Sequence, residues 1–143
     1  SQSNTPSPQY FVISQKMKDI YHLVQKQLWE ECKTQEKAYK PPTYEQDGFI
    51  HATEEAHMLL GVANHFYKSD PSEYLLLRID PALLEDAHVK YEAAAPVGET
   101  EAHKTEGEVL FPHIYGALNV TSVTEVFAVK RDSDGTFLEI EGL

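Results

Sequence analysis

Polar and apolar side chains alternate along residues 19–24, DIYHLV, placing Ile20, His22 and Val24 on one side and Tyr21 and Leu23 on the other. That period of two predicts a strand. The next stretch, QKQLWEECKTQE, changes to a helical period with Leu28, Trp29 and Cys32 as its apolar stripe. YKPPTYEQDG is predicted irregular, because Pro41 and Pro42 fix their backbone angles and remove two amide donors. FIHAT, residues 49–53, follows as a short strand. Thr53 is then the expected N-cap of a helix over EEAHMLLGVANHFY, with Glu54 and Glu55 at its positive end. EYLLLRID, residues 73–80, is the clearest strand, and its unbroken apolar run predicts a central position buried on both faces. PALLED predicts a helical turn opened by Pro81, and AHVKYEAA another strand. PVGETEAHKTE reads as a surface loop and EVLFPHIYGAL as mixed. VTEVFAVKR and TFLEI predict a terminal hairpin that turns at Asp134-Gly135.

Two main helices scattered among these strands predict an α+β protein. Strict strand–helix alternation fails after residue 73, which argues against a doubly wound parallel sheet. Residues 19–143 are expected to form one globular domain, and 1–18, opened by the Ser/Pro-rich SQSNTPSPQ, a disordered or peripheral leader. A chain of 143 residues buries roughly two thirds of its unfolded surface in a single core.

Composition narrows the function classes. The net charge of −11 works against non-specific binding to nucleic-acid backbones and anionic membranes, so a nucleic-acid partner is not expected. The longest apolar run, YLLLRI, already contains an arginine and is far short of a membrane span. No secretory signal pattern is present. Cys32 alone permits neither an intramolecular disulfide nor a multi-cysteine zinc site, which fits a reducing compartment. A cytoplasmic protein with a small-molecule ligand is the expectation. Glycine-rich phosphate loops, a GxSxG elbow, HExxH and CxxC are absent.

The chemistry therefore falls to the histidines. His22 shares a strand face with Ile20 and Val24, and read alone it is a core histidine bonded to backbone. His51 ends a strand before a predicted helix N-terminus, where free amides favour an anion or a carbonyl. His113 follows Pro112, which holds its backbone extended. Tyr115 shares its face, and Gly116 permits a close backbone approach. Glu108 is the carboxylate best placed to join them, although a solvated loop acid is the more common outcome in a chain with 23 acids. His57, His65, His88 and His103 read as structural or surface residues.

IYHLV, YKPPTYEQDGFIHAT, YLLLRID and GEVLFPHIYGAL, in that order, resemble the signature segments of the family called domain of unknown function 952, from about Ile20 to Val129. The GFIHxT and LFPHxYG elements are its specific parts. The resemblance implies a fold similar to ADP-ribosyltransferases and RNA 2′-phosphotransferases: a compact split antiparallel or mixed sheet with two main helices and a cleft between the sheets. By that analogy His22 takes the first-strand place, which contacts the nicotinamide ribose, and His51 the second, which packs on the nicotinamide. The third place falls in EVLFPHIYG. The phosphotransferase branch also uses basic residues to hold a phosphate, and Arg78 and Arg131 are the arginines of this chain.

Three readings follow. The first is an NAD- or ADP-ribose-handling transferase, with NAD as the candidate cofactor. His22, His51, Glu108, His113 and Tyr115 are its candidate catalytic residues, and His22, His51, Thr53 and Tyr39 would hold the cofactor. The second is a non-catalytic module binding a small ligand or peptide. The third is a metal-dependent enzyme built on His22, His51 and His113.

Overall fold

The computed structural model describes residues 18–104 and 109–143. The predicted leader thus lies outside the described residues except for Lys18, and Glu108 lies outside them too. The first strand is β1 (Ile20–Gln25), followed by helix α1 (Lys26–Gln35) and a short helix α2 (Tyr44–Asp47). Then come β2 (Ile50–His51), helix α3 (Leu59–Tyr67), β3 (Tyr74–Ile79), β4 (His88–Ala93), β5 (Leu110–Tyr115), β6 (Val123–Arg131) and β7 (Phe137–Ile140).

These strands make two antiparallel sheets, one in the order β1-β3-β6-β7 and the other β2-β5-β4. The α+β class holds, and every strand pair is antiparallel. β3 is central and covered on both faces, as its apolar run requires. Leu77 and Ile79 join Ile20, Val24, Trp29, Cys32, Ile50 and Ile114 in one core, beneath α1 and the second sheet. Tyr74 and Leu76 face the other way, into a core with Leu59, Ala63, Phe127, Phe137 and Ile140 beneath α3. The terminal hairpin turns where expected: the Asp132 carboxylate accepts from the amides of Asp134 and Thr136, and Gly135 takes φ 95°.

Three expectations need correction. Thr53 does not cap a helix. It is buried and exchanges both backbone hydrogen bonds with Tyr21, so the helix starts later, through a 3-10 turn at Ala56–Met58. Its neighbour Glu55 occupies the cap position of that turn with no side-chain cap bond. The stretch read as irregular contains α2, which Gly48 ends at φ 84° by donating its amide to Tyr44 O. The mixed segment EVLFPHIYGAL contains a full strand, β5, in which His113 pairs with His51 on one side and Lys90 on the other.

Gly116 permits both features expected of it. Its φ is +117°, and a Cβ there would stand 2.4 Å from Asp86 O and 2.9 Å from Ala87 Cα. Its amide donates to Tyr44 Oη at 2.9 Å, which ties the end of β5 to α2. Gly116→Ala is expected to cost about 2–4 kcal/mol in urea denaturation, because backbone blocks the added carbon.

Candidate functional site

Among the described residues the two sheets meet at one bridge, Tyr21 with Thr53. Continuing that register would place Leu23 opposite His51, but the ladder stops there. The His22 imidazole takes the place of the next rung: its Nδ1–H donates to His51 O at 2.6 Å. Hydrogen bonds on β1 alternate in direction along the strand. Tyr21 turns its amide and carbonyl to Thr53, while Lys26 donates to Glu73 on the β3 side, so Leu23 aims its own pair at the split. Among the described residues neither group of Leu23 has a hydrogen-bond partner, although Leu23 is buried.

A cleft opens at this split. Its walls include Leu23, His22 and Thr53 from the bridge region, His51 and His113 from the second sheet, and Phe66 and Tyr67 from α3. Its volume is about 40 Å³. That is room for a few water molecules, well below the several hundred Å³ of a pocket that encloses a drug-sized ligand.

Each imidazole of this group is held through one nitrogen. His22 spends Nδ1 on the His51 carbonyl, and its Nε2 is buried without a partner among the described residues. Burial lowers its pKa from 6.5 to about 4, against the raising effect of the His51 carbonyl, so His22 is neutral at pH 7 and Nε2 is a bare acceptor. His51 donates Nε2–H to Asp47 Oδ2 at 3.0 Å. Burial lowers its pKa too, and Asp47 opposes that shift through its hydrogen bond and its charge. His113 donates Nδ1–H to Glu92 Oε1 at 2.9 Å and stacks on Phe49, ring centroids 4.1 Å apart. The His51 and His113 rings meet edge to face at 5.5 Å.

The structure thus brings His22, His51, Thr53 and His113 onto one cleft. Two other candidates stand apart from its walls. Tyr39 is buried behind His22, ring centroids 5.7 Å apart. Tyr115 turns its hydroxyl to Glu92, whose pKa is held down by that donor and by His113. No group of three or more His, Cys, Asp or Glu among the described residues is arranged to hold a metal ion, so the three imidazoles do not form the open metal site of the third reading. Both arginines are engaged elsewhere: Arg78 pairs with Glu125, and Arg131 donates to backbone carbonyls. Neither stands at the cleft to hold a phosphate.

Several wall residues were not legible as such. His103, read as a structural or surface residue, lines the cleft, and so does Phe66. Asp47 fixes His51 and was not singled out. Its signal was the four-residue spacing D-x-x-x-H across the end of a helix.

A sequence profile for the family described as "Protein of unknown function (DUF952)" matches residues 23–126, which include His51 and His113. The chain belongs to this family. A similar fold is seen in solved structures of protein CC0527 from Caulobacter crescentus. Its crystal structure is 25% identical with a TM-score of 0.63, over 84% of this chain and 93% of that one. Its solution NMR structure is 26% identical with a TM-score of 0.59, over 89% of this chain and 94% of that one. No curated protein matches this DUF952 chain. No helix among the described residues is long and apolar enough to cross a membrane.

Proposed function

We propose that the split between the sheets binds the carboxamide-bearing ring of a nicotinamide-type ligand, and that the protein handles NAD or ADP-ribose within an ADP-ribosyltransferase-like fold. The observation that carries this reading is that the amide and carbonyl of Leu23 face the split with no partner among the described residues. A donor and an acceptor side by side on a strand edge match a primary carboxamide, which presents the complementary pair. The neighbouring His22 Nε2 accepts a hydroxyl, as a ribose attached to that ring would offer. Phe66, Tyr67 and Phe111 supply apolar walls for a planar ring. At about 40 Å³ the cleft takes the ring only when a wall moves outward, and the remainder of a dinucleotide lies outside.

The second reading is binding without turnover. It is favoured by the state of the two carboxylates that, among the described residues, bond the cleft imidazoles: Asp47 is shared between His51 and Gly98, and Glu92 between His113 and Tyr115. Neither is left free to stabilise positive charge at a breaking glycosidic bond.

Amide NMR with nicotinamide, nicotinate and NAD separates the outcomes. Nicotinamide is expected to shift the Leu23 amide, and nicotinate, which lacks the donor and carries a charge, to bind at least about tenfold more weakly. Release of nicotinamide from NAD supports the transferase reading, and binding of NAD without release supports the module. An unshifted Leu23 amide with all three compounds would sink both.

A further inference from the structure

Residues 94–104, which follow β4, cross the cleft: Ala94, Ala95, Val97 and His103 form one of its walls. The backbone hydrogen bonds of this strap join Val97 to Thr100 within it, and none among the described residues ties it to the body. Side chains hold it instead. Asp47 accepts the Gly98 amide with both oxygens, at 3.1 and 3.2 Å. Gln46 Nε2 donates to Gly98 O at 3.0 Å, and His65 Nε2–H donates to Glu101 O at 2.6 Å. Segments held by a few polar side-chain ties open at lower free energy than strands in a sheet.

The Asp47 carboxylate is thus shared between the strap and the imidazole. Its side chain is 6% exposed, and it sits as the last residue of α2, where the left-handed Gly48 fixes the exit of the chain. We propose that Asp47 is a positioning residue that couples the two: it latches the strap over the cleft and holds His51 as the Nε2–H tautomer. Nδ1 then remains as the nitrogen available to a ligand, and the strength of that hold depends on whether the strap is shut. This rests on the cleft being a ligand site and does not depend on which ligand it takes.

The physical link is competition for one acceptor. With the strap shut, the Gly98 amide takes part of the carboxylate's hydrogen-bonding capacity. With the strap open, that capacity turns to His51 and makes its imidazole more basic. The groups that face His51 are Asp47 from α2, His113 from β5, the uncharged Phe49 just before β2 and Phe66 from α3, and His22 from β1 through the His51 carbonyl. Among these only Asp47 carries a negative charge.

Two ligand-free measurements test the proposal: nitrogen NMR of the His51 ring across a pH titration, and hydrogen exchange at the Gly98 amide. The wild type is expected to show the Nε2–H tautomer. In Asp47→Asn the tautomer preference is expected to disappear, His51 to titrate at lower pH, and Gly98 to exchange about tenfold faster or more. Gln46→Ala changes an exposed residue and leaves Asp47 intact. It is expected to speed Gly98 exchange and move the His51 titration upward, and it decides the matter alone if Asp47→Asn does not fold. Unchanged His51 signals in these variants would reduce Asp47 to a loop latch and overturn the coupling. An unmoved Gly98 amide would overturn it from the other side. Because no ligand is present, failure here leaves the nicotinamide reading intact, and failure of the ligand titration leaves this result standing.

Discussion

His22→Leu is expected to match the wild type at neutral pH to within about 1 kcal/mol, to be the more stable protein under mild acid, and to weaken binding of NAD, which carries the ribose, by about tenfold or more. The three effects have separate origins. Leucine fills similar space beside Ile20, Val24 and Tyr39. It gives up one donor to the His51 carbonyl, worth about 1 kcal/mol, and removes a buried acceptor that has no partner among the described residues, a relief of similar size. The pH effect follows from linkage. The folded imidazole titrates near 4 against 6.5 for the free group, so between those values the unfolded chain takes a proton that the folded chain refuses. The full stability of the wild type is present above pH 6.5 and declines as pH falls toward 4, by about 3 kcal/mol at most. Leucine has no such loss. Urea denaturation of both proteins at a series of pH values should give a stability difference that grows through that window and then levels. A flat difference would show that His22 is not a buried neutral group. Binding falls because the hydroxyl that His22 Nε2 would accept meets a methyl group instead.

The difference between what the pattern revealed and what it hid lies in the range of the forces involved. The β3 run and the alternation of β1 were legible because burial acts on residue after residue. His22, His51 and His113 were legible as candidates because imidazoles placed on apolar strands are conspicuous. Their convergence was not, because it depends on where β1 leaves the second sheet, and only the register of Tyr21 against Thr53 sets that. Thr53 followed the local rule for a cap, yet a backbone pair with Tyr21 outcompeted the helix start. The Leu23 edge had no sequence signal at all. Unpaired backbone belongs to topology, and any side chain could stand there. Asp47 lay within reach of a local argument, but that argument required α2 to be recognised in a stretch whose prolines pointed to irregular chain.

Arg131→Ala is expected to cost about 3 kcal/mol or more, and Arg131→Lys to recover less than half of it. The guanidinium answers an accounting problem that the helix cannot solve for itself. The last carbonyls of α3 have no partner within the helix; Tyr67 O accepts from the Asp70 amide at 3.0 Å, and Arg131 Nη2 adds a second donor to it and serves Lys68 O, both at 3.2 Å. Nη1 donates to Ser72 O at 2.6 Å and Nε to Gly135 O at 3.1 Å. The plane also lies over Phe137, 4.1 Å from its centroid. One rigid fork thus joins the end of α3, the entry to β3 and the hairpin turn, where a Cβ on Gly135 would stand 2.2 Å from Lys68 O. A lysine ammonium keeps the charge but is a single point, and it cannot reach carbonyls on three segments at once. Urea denaturation of the two variants gives the comparison, and equal stability of the lysine form and the wild type would reduce the role of Arg131 to charge. The effect should extend to the cleft, because Val62, Phe66 and Tyr67 reach it from the same helix that Arg131 pins. A variant loosened at the α3 terminus should therefore bind nicotinamide more weakly even though Arg131 stands outside the cleft walls.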